Sequence, residues 1–265
     1  MIKLCLAGAS GHVGRELASA IFAAGDLALV SAVGRSHAGK SLRDIGCEPC
    51  ADIRLHASVA AALQAGPADV FIDYTHPEAV KANVRAAIEA GCHAVIGTSG
   101  LTDADYTEID AWARHKGVGV FAAGNFSITA ALMQHFSAAM ARHMPHWEIL
   151  DYASDTKPDA PSGTARELAM QLSRVAKPVW QVPVSETQGL KDSRGATLNG
   201  SQMHSIRVPG YYSAIQAIFG DAGERIELRH ESTSYAPYVA GTLLAARKVS
   251  GFKGVKRGMG SLLGL

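Results

Sequence analysis

Short apolar runs alternate with segments of helical periodicity along the first half of the chain. Runs of strand length occur at Ile2–Ala7, Leu27–Val33, Asp69–Tyr74, His93–Gly97 and Gly119–Ala123. Helical spacing after several of them predicts helices, including one that begins at Pro77 and one over Asp103–Lys116. Because strands that alternate with helices form parallel sheets with right-handed crossovers, the pattern predicts a Rossmann-like α/β domain.

The pattern changes after a predicted long helix, Ile128–Met144. Predicted strands then follow one another, at Trp147–Tyr152, Val179–Glu186, Met203–Val208, Ser213–Phe219 and Glu224–Ser232. Apart from a helix that ends near Ala176, few helical segments separate them, which favours an antiparallel or mixed open sheet. The predicted fold class is therefore α/β, with an N-terminal Rossmann-like parallel sheet and a central α+β domain built on an open mixed sheet.

Composition and charge narrow the class of protein. The chain has 265 residues, of which 48% are hydrophobic and 18% charged, as in a globular protein with a full core. Its formal net charge of +1 gives no reason to expect a nucleic-acid or membrane partner. The first residues lack the basic lead and apolar core of a signal peptide, and no apolar stretch reaches the roughly 18 residues of a membrane span. We therefore expect a cytoplasmic protein.

The chain contains four cysteines, two of which form a CxxC pair, Cys47 and Cys50. A zinc or redox site at this pair is one possibility. Because a second CxxC pair is missing from the sequence, free thiols are favoured, and we predict no metal site.

A glycine-rich turn, Gly8–Gly14, follows the first predicted strand and leads into a predicted helix. Its spacing is GxxGxxG, a variant of the motif that binds the pyrophosphate of a dinucleotide between a strand and a helix. The turn therefore predicts a cofactor site. The alternative is a tight strand–helix turn that needs glycine only for packing.

The end of the second predicted strand bears on the choice between NAD and NADP. The residues there are Gly34-Arg35-Ser36-His37, with Lys40 nearby. They include no carboxylate to bind the ribose hydroxyls of NAD, and a guanidinium suits the extra phosphate of NADP. We predict that NADPH is preferred and that NADH remains possible, the alternative being that Arg35 and Lys40 are solvated loop charges.

Three further segments lie where predicted strands end. They are Thr75, Gly97-Thr98 and Gly124-Asn125-Phe126. Because cofactors bind at the carboxyl ends of parallel strands, their shared placement favours a cofactor role over ordinary turn chemistry.

The stretch Asp151–Ala165 is the second candidate site. Pro158 and Pro161 stiffen it, and a helix is predicted directly after it, with Thr164 and Glu167 at capping-box spacing. Ser162, Gly163 and Thr164 would then lie at a helix N-terminus, which attracts a carboxylate or phosphate, and Lys157 just upstream offers a cation or a proton. The alternative is a well-capped helix after a proline-rich turn.

Taken together, these motifs resemble the dihydrodipicolinate reductases (4-hydroxy-tetrahydrodipicolinate reductases) of bacterial lysine biosynthesis. The resemblance covers essentially the whole chain, and the run D-A-P-S-G-T-A at Asp159–Ala165 is its most specific part. The other matching stretches are Gly8–Gly14, Phe71–Thr75, Gly97–Gly100, Asn125–Ser127, Ser205–Arg207 and Gly258–Leu265.

The resemblance implies a dinucleotide-binding domain of residues 1–126 and 239–265, and a substrate-binding and oligomerisation domain of residues 127–238. It implies a homotetramer that transfers hydride from NADPH to an unsaturated cyclic dicarboxylate. Ser162, Gly163 and Thr164 would bind a substrate carboxylate, and Lys157 would donate the proton. The implied cofactor contacts are Gly8, Ser10, Gly11, His12, Val13, Gly14, Arg35, Thr75, Gly97, Thr98, Gly124, Asn125 and Phe126.

The sequence departs from the family at positions where most members carry histidine, and one of them, in the strand after Arg207, is Gln216 here. Most members carry H-H-x-x-K before the D-A-P-S-G-T-A run, whereas this chain has Ala153 and Ser154 in place of the two histidines. Ser154 is a candidate catalytic hydroxyl, and Tyr152 is a candidate substrate contact. The missing imidazoles motivate one alternative, a related reductase that acts on another carboxylated imine or carbonyl. A second alternative is a non-catalytic dinucleotide sensor. Retention of Lys157 argues against the sensor, which needs no proton donor.

Overall fold

The computed structural model describes residues 1–47 and 52–265. The chain forms two compact units, one comprising Met1–Ile128 and Tyr235–Leu265 and the other Thr129–Ser234. Cys50 of the predicted CxxC pair lies outside the described residues, so the nature of that pair stays a prediction. Within the described part of the chain, no helix is both long enough and apolar enough to cross a membrane.

The first unit is built on seven strands. They are β1 (Ile2–Ala7), β2 (Leu27–Val33), β3 (Leu55–His56), β4 (Val70–Asp73), β5 (His93–Ile96), β6 (Gly119–Ala122) and β12 (Gly254–Arg257). The order in the sheet is β12-β6-β5-β4-β1-β2-β3, and neighbouring strands are parallel. Strands β2 and β3 lie on one side of β1, and β4 lies on the other side, so the direction in which strands are added reverses at β1. This is the switch point at which open parallel sheets bind ligands.

The described helices of this unit lie between and after these strands along the chain. They are α1 (His12–Ala23), α2 (Val59–Ala65), α3 (Pro77–Glu89), α4 (Asp103–Lys116), α7 (Ala236–Lys248) and α8 (Gly260–Leu263). Helix α4 has the predicted bounds because both of its ends are encoded locally. A reciprocal capping box of Thr102 and Asp105 starts it, and Gly117 in the left-handed conformation ends it.

The second unit is built on a five-stranded mixed sheet. Its strands are β7 (His146–Ala153), β8 (Ala196–Leu198), β9 (Ser201–Arg207), β10 (Ser213–Asp221) and β11 (Glu224–Ser232), in the order β11-β10-β7-β9-β8. Strands β7 and β9 are parallel, and the other pairs are antiparallel. Helices α5 (Ile128–Ala141) and α6 (Gly163–Ser173) contribute to a core in which Trp147 and Phe219 are in contact. The predicted fold class, a parallel Rossmann-like sheet plus a mixed-sheet domain, is confirmed.

One predicted strand is wrong. Val179–Glu186 forms no strand, and its last three residues, Val184–Glu186, form a short 3₁₀ helix. Pro183 removes a backbone donor that a strand ladder would need, and Val179 and Val182 are exposed. The apolar residues of this segment therefore do not mark a buried strand.

Two strands have little apolar signal in the sequence. Strand β8 has only three residues, and the last two residues of β12 are Lys256 and Arg257. Strand β12 forms because its backbone pairs with β6, which lies more than a hundred residues away in the chain. Pairing of this kind is decided by tertiary contacts rather than by local pattern.

Candidate cofactor site and substrate anchor

The glycine turn after β1 is shaped by close backbone approaches. Gly8 has φ of +79°, and a Cβ there would collide with the carbonyl oxygen of Tyr74. A Cβ at Gly14 would collide with the carbonyl oxygen of Gly8, so helix α1 packs directly on the turn. Gly11 is the N-cap of α1 and provides no side-chain cap. The first-turn N–H groups of His12, Val13 and Gly14 therefore lie at an N-terminus whose dipole favours an anion.

A cavity of about 460 Å³ opens beside this turn. Its wall is formed by Gly8, Ser10 and Gly11 of the turn, by Gly34–Ser36 after β2, and by Thr75 and His76 after β4. The structure thus brings five predicted cofactor residues together: Gly8, Ser10, Gly11, Arg35 and Thr75. The described lining includes the cationic residue Arg35 and no acidic residue.

A buried carboxylate orders the loops that follow β4 and β5. Oδ1 of Asp73 accepts hydrogen bonds from Thr75 N (3.0 Å), Thr75 Oγ1 (2.7 Å) and Thr98 Oγ1 (2.6 Å). Its Oδ2 accepts one from Asn83 Nδ2 (2.9 Å). Asp73 is fully buried, so these donors replace the water that its charge has lost. Two predicted cofactor residues, Thr75 and Thr98, are thereby held side by side.

Tyr74 contacts the segments that follow β5 and β6. A Cβ at Gly97 would collide with the Tyr74 ring, and the ring of Phe126 lies 6.0 Å from it. The Tyr74 hydroxyl is 2.7 Å from Oγ1 of Thr242 on α7. Because Thr242 donates its own proton to the carbonyl of Tyr238, Tyr74 is the donor in this pair. Desolvation raises the pKa of Tyr74, so its hydroxyl stays protonated.

Not every predicted cofactor residue lines the cavity. Gly97 and Thr98 follow β5, and Gly124, Asn125 and Phe126 follow β6, at the same sheet edge. Oδ1 of Asn125 accepts from the N–H of Ser127 at 2.8 Å, which closes the turn after β6.

These features fit a dinucleotide. Glycines occupy the positions where a side chain would fill the turn, the start of α1 has no side-chain cap, and the adjoining cavity carries a cation.

In the second unit, the N-terminus of α6 is capped differently from the prediction. Ser162 is the N-cap, and its Oγ accepts from the N–H of Ala165 at 3.3 Å. The predicted capping box of Thr164 and Glu167 is wrong, because both residues lie inside the helix. Gly163 and Thr164 form the first turn, and Gly163 is exposed. The predicted anchor residues are thus brought together at the positive end of one helix.

The loop before α6 is joined to the sheet by a buried ion pair. Asp151 on β7 is 1% exposed, and its Oδ2 lies 2.7 Å from a guanidinium nitrogen of Arg207 on β9. The same oxygen accepts from the backbone N–H of Ser162 at 2.8 Å and from Oγ of Ser205 at 3.2 Å. Sequence reasoning assigned no role to Asp73 or Asp151. The signal available for both was a carboxylate directly after two apolar residues of a strand, a place where an acidic residue is rarely buried unless it is paired.

Lys157, the predicted proton donor, has a carboxylate partner. Its Nζ lies 2.7 Å from Oδ1 of Asp159, and both side chains are partly exposed. The hydrogen bond from Lys157 lowers the pKa of Asp159, with a smaller contribution from the charge of Arg166. Asp159 therefore remains ionised and holds the ammonium group on this loop.

Ser154 and Tyr152 occupy different surroundings. Oγ of Ser154 bonds within its own loop, to Thr156 Oγ1 at 2.9 Å and Asp155 Oδ1 at 3.2 Å. The hydroxyl of Tyr152 instead donates to Oε1 of Gln216 on β10 at 3.0 Å. Neighbouring residues on a strand point to opposite faces of the sheet. Asp151, the residue before Tyr152, bonds to Ser162 at the start of α6. The Tyr152 hydroxyl therefore lies on the sheet face opposite to these predicted substrate-binding residues.

Both halves of the chain match known family models. The model for the N-terminus of dihydrodipicolinate reductase matches residues 2–126, and the model for the C-terminus matches residues 127–263. The chain belongs to the dihydrodipicolinate reductase family. It is accordingly an oxidoreductase that uses a nicotinamide dinucleotide, and the resemblance predicted from the motifs is confirmed.

Individual relatives of the family cover almost the full chain. The 4-hydroxy-tetrahydrodipicolinate reductase of Desulfitobacterium hafniense is 37% identical over 99% of this chain and 98% of its own length. That of Halalkalibacterium halodurans is 35% identical over 99% of this chain and 100% of its own length. A dipicolinate-bound dihydrodipicolinate reductase from Paenisporosarcina sp. TG-14 superimposes with a TM-score of 0.86, covering 98% of this chain and 99% of the other at 28% identity.

Proposed function

We propose that this chain reduces 4-hydroxy-tetrahydrodipicolinate to tetrahydrodipicolinate in lysine (diaminopimelate) biosynthesis, with NADPH as the preferred reductant. The observation that carries the proposal is the anchored start of α6. Ser162, Gly163 and Thr164 stand there, after a loop that bears Lys157. A helix N-terminus and a nearby ammonium group suit a carboxylated substrate that must gain a proton.

The first unit would bind the cofactor. The N–H groups of His12, Val13 and Gly14 would bind its pyrophosphate, and the carboxyl ends of β4, β5 and β6 would contact its nicotinamide end. When bound, NADPH supplies the hydride. Arg35 in the cavity wall supports the preference for NADPH, because its guanidinium suits a ribose phosphate.

The second unit would bind the substrate and supply the proton. The oxygen of Ser162 accepts from Ala165, which leaves its hydroxyl proton for a substrate carboxylate, and the first-turn N–H groups add to this anchor. The 4-hydroxyl group and a neighbouring hydrogen leave as water, which creates the conjugated double bond. Reduction then places a hydride at one end of that bond and a proton at the other, and NADP⁺ is released. Lys157 would supply that proton from its ammonium group and be reprotonated from solvent. Ser154 is the weaker candidate, because its hydroxyl already bonds within the loop.

A homotetramer and a cytoplasmic location are further proposals. The sheet face opposite α6 carries the cluster of Tyr152, Gln216 and Arg229, and Arg229 is still 35% exposed, which supports a contact with another copy. Among the described residues, Cys5 and Cys92 are buried thiols outside any disulfide, as is usual in a reducing compartment. Light scattering of the purified protein tests the tetramer.

The function is tested by NADPH oxidation with enzymatically generated substrate, with NADH in parallel. Turnover on the order of 1–10³ s⁻¹ supports the proposal. Dipicolinate should compete with the substrate, since the Paenisporosarcina relative binds it. If NADPH binds tightly without turnover, the proposal is wrong. A screen of other carboxylated imines then follows. Turnover of one of them indicates a related reductase, the alternative that Ala153 and Ser154 favour, and no turnover of any indicates a sensor.

A further inference from the structure

We propose that Asp151 and Arg207 are positioning residues for the substrate. They would hold the segment Asp159–Ser162 so that the N-terminus of α6 presents its donors to the substrate carboxylate. The inference rests on the proposed function, because the residues that Asp151 and Arg207 would hold in place are the proposed substrate-binding residues.

Arg207 joins the anchor segment at its first residue. One guanidinium nitrogen donates to the carbonyl oxygen of Asp159 at 2.8 Å as well as to Oδ2 of Asp151 at 2.7 Å. The other terminal nitrogen donates to the carbonyl oxygens of Asp151 (3.1 Å) and Ile206 (2.9 Å). A single planar group thus connects strand β7, strand β9 and the loop. A lysine has one nitrogen and cannot make this set of contacts at once.

Asp151 joins the same segment at its last residue. Its carboxylate accepts from the N–H of Ser162, the residue that also caps α6. An ionised carboxylate makes a stronger hydrogen bond to a backbone N–H than a neutral amide does. The segment is therefore bound at both ends, Asp159 and Ser162, by the two members of one ion pair.

This arrangement differs from an ion pair that only stabilises the sheet. Arg194 and Glu148 in the same unit form a similarly close, partly buried pair at 2.8 Å, and this contact involves no residue of the segment Asp159–Ser162. Arg207 and Asp151, by contrast, each bond to backbone atoms of the loop that precedes α6. These contacts would fix the position of the first residues of α6. They would therefore also fix the position of the substrate carboxylate that binds there.

The test compares Arg207→Lys and Asp151→Asn with the wild type. Asp151→Asn keeps the size of the side chain, and Arg207→Lys keeps the charge opposite Asp151 but removes the planar guanidinium. Calorimetric titration with dipicolinate should show the dissociation constant raised by about tenfold or more in each, as expected for loss of a charge-assisted bond. The substrate KM should rise similarly while kcat changes little, because a remote carboxylate is bound equally in ground and transition states. The dissociation constant of NADPH should stay within twofold of the wild type.

Arg194→Lys is the matched control, since it alters an ion pair of the same unit that does not touch the anchor. It should leave dipicolinate affinity unchanged, and melting temperatures of all variants report any general loss of structure. The inference is overturned if Arg207→Lys binds dipicolinate as the wild type does, or if its loss only follows a loss of folded protein. A wild type that neither binds dipicolinate nor turns over substrate would overturn the proposed function instead.

Discussion

The hydroxyl of Thr98 donates a 2.6 Å hydrogen bond to the fully buried carboxylate of Asp73. Thr98 follows β5 and Asp73 ends β4, so this bond ties together two strand ends at the switch-point edge of the parallel sheet. The same oxygen of Asp73 accepts from the hydroxyl of Thr75 at 2.7 Å. One carboxylate thus organises both loops at which the cofactor is expected to bind.

The first prediction concerns this carboxylate. The carboxylate of Asp73 accepts four hydrogen bonds in the wild type, and in Asp73→Asn one of its oxygens becomes an NH₂ group, which cannot accept. We therefore expect the loops after β4 and β5 to lose their order. The free energy of unfolding should fall by about 1–3 kcal/mol, and the dissociation constant of NADPH should rise at least about tenfold. Thermal unfolding and NADPH fluorescence titration measure the two effects.

Asp69→Asn is the control for this change. Asp69 precedes the same strand and accepts from the N–H of Lys3 at 2.7 Å, at the opposite end of β4. The Asp69→Asn substitution should lower the free energy of unfolding without changing NADPH affinity. Equal losses of affinity in the two variants would show that Asp73 has no particular role at the cofactor site.

The second prediction concerns the cofactor phosphate. Arg35→Ala should raise the dissociation constant of NADPH about tenfold or more and leave that of NADH unchanged, because only NADPH carries the phosphate that the guanidinium would bind. Lys40→Ala is the control, since Lys40 is exposed and is not part of the described cavity wall. Titration of each variant with both cofactors decides the matter, and an equal change for NADPH and NADH contradicts the phosphate role.

The third prediction concerns the proton donor. Lys157→Met keeps the length of the side chain and removes the ammonium group, so kcat should fall by about 10²–10⁴ if this group is the general acid. Steady-state kinetics with saturating NADPH measure the loss. Lys177→Met, at another exposed position of the same unit, should retain full kcat. A Lys157→Met variant with wild-type kcat would move the proton donor to another group, such as Ser154 or solvent.

The fourth prediction concerns alkaline pH. Desolvation raises the folded-state pKa of Tyr74 above its unfolded value of about 10. Stability from this group is therefore full below about pH 10 and is lost as pH rises above that value, because only the unfolded chain ionises the tyrosine.

Tyr74→Phe tests this assignment. The variant should lose about 0.5–1.5 kcal/mol of unfolding free energy at pH 7, since the bond to Thr242 is removed. The difference from the wild type should shrink as pH rises above about 10. Denaturant titrations between pH 7 and pH 11 measure it, and a difference that stays constant with pH would contradict the shifted pKa.

Local signals in the sequence were sufficient for much of the fold. Strand β1, strand β2, helix α4 and strand β11 have the predicted bounds, because apolar runs, caps and glycine turns act over a few residues. The glycine turn and the anchor motif were also visible as local patterns. Val179–Glu186 shows the limit of such signals, since Val179 and Val182 proved exposed and the segment forms no strand.

Taken alone, the sequence determined the family, the two-part fold class and the segments that carry the candidate sites, since each depends on residues that are close together in the chain. Only the tertiary structure decided which groups those residues meet. It paired Asp151 with Arg207, turned the hydroxyl of Tyr152 toward Gln216, and placed β12 beside β6. These partners lie 56 and 64 residues apart for the two side-chain pairs, so their meeting depends on strand register and packing, which local periodicity does not encode.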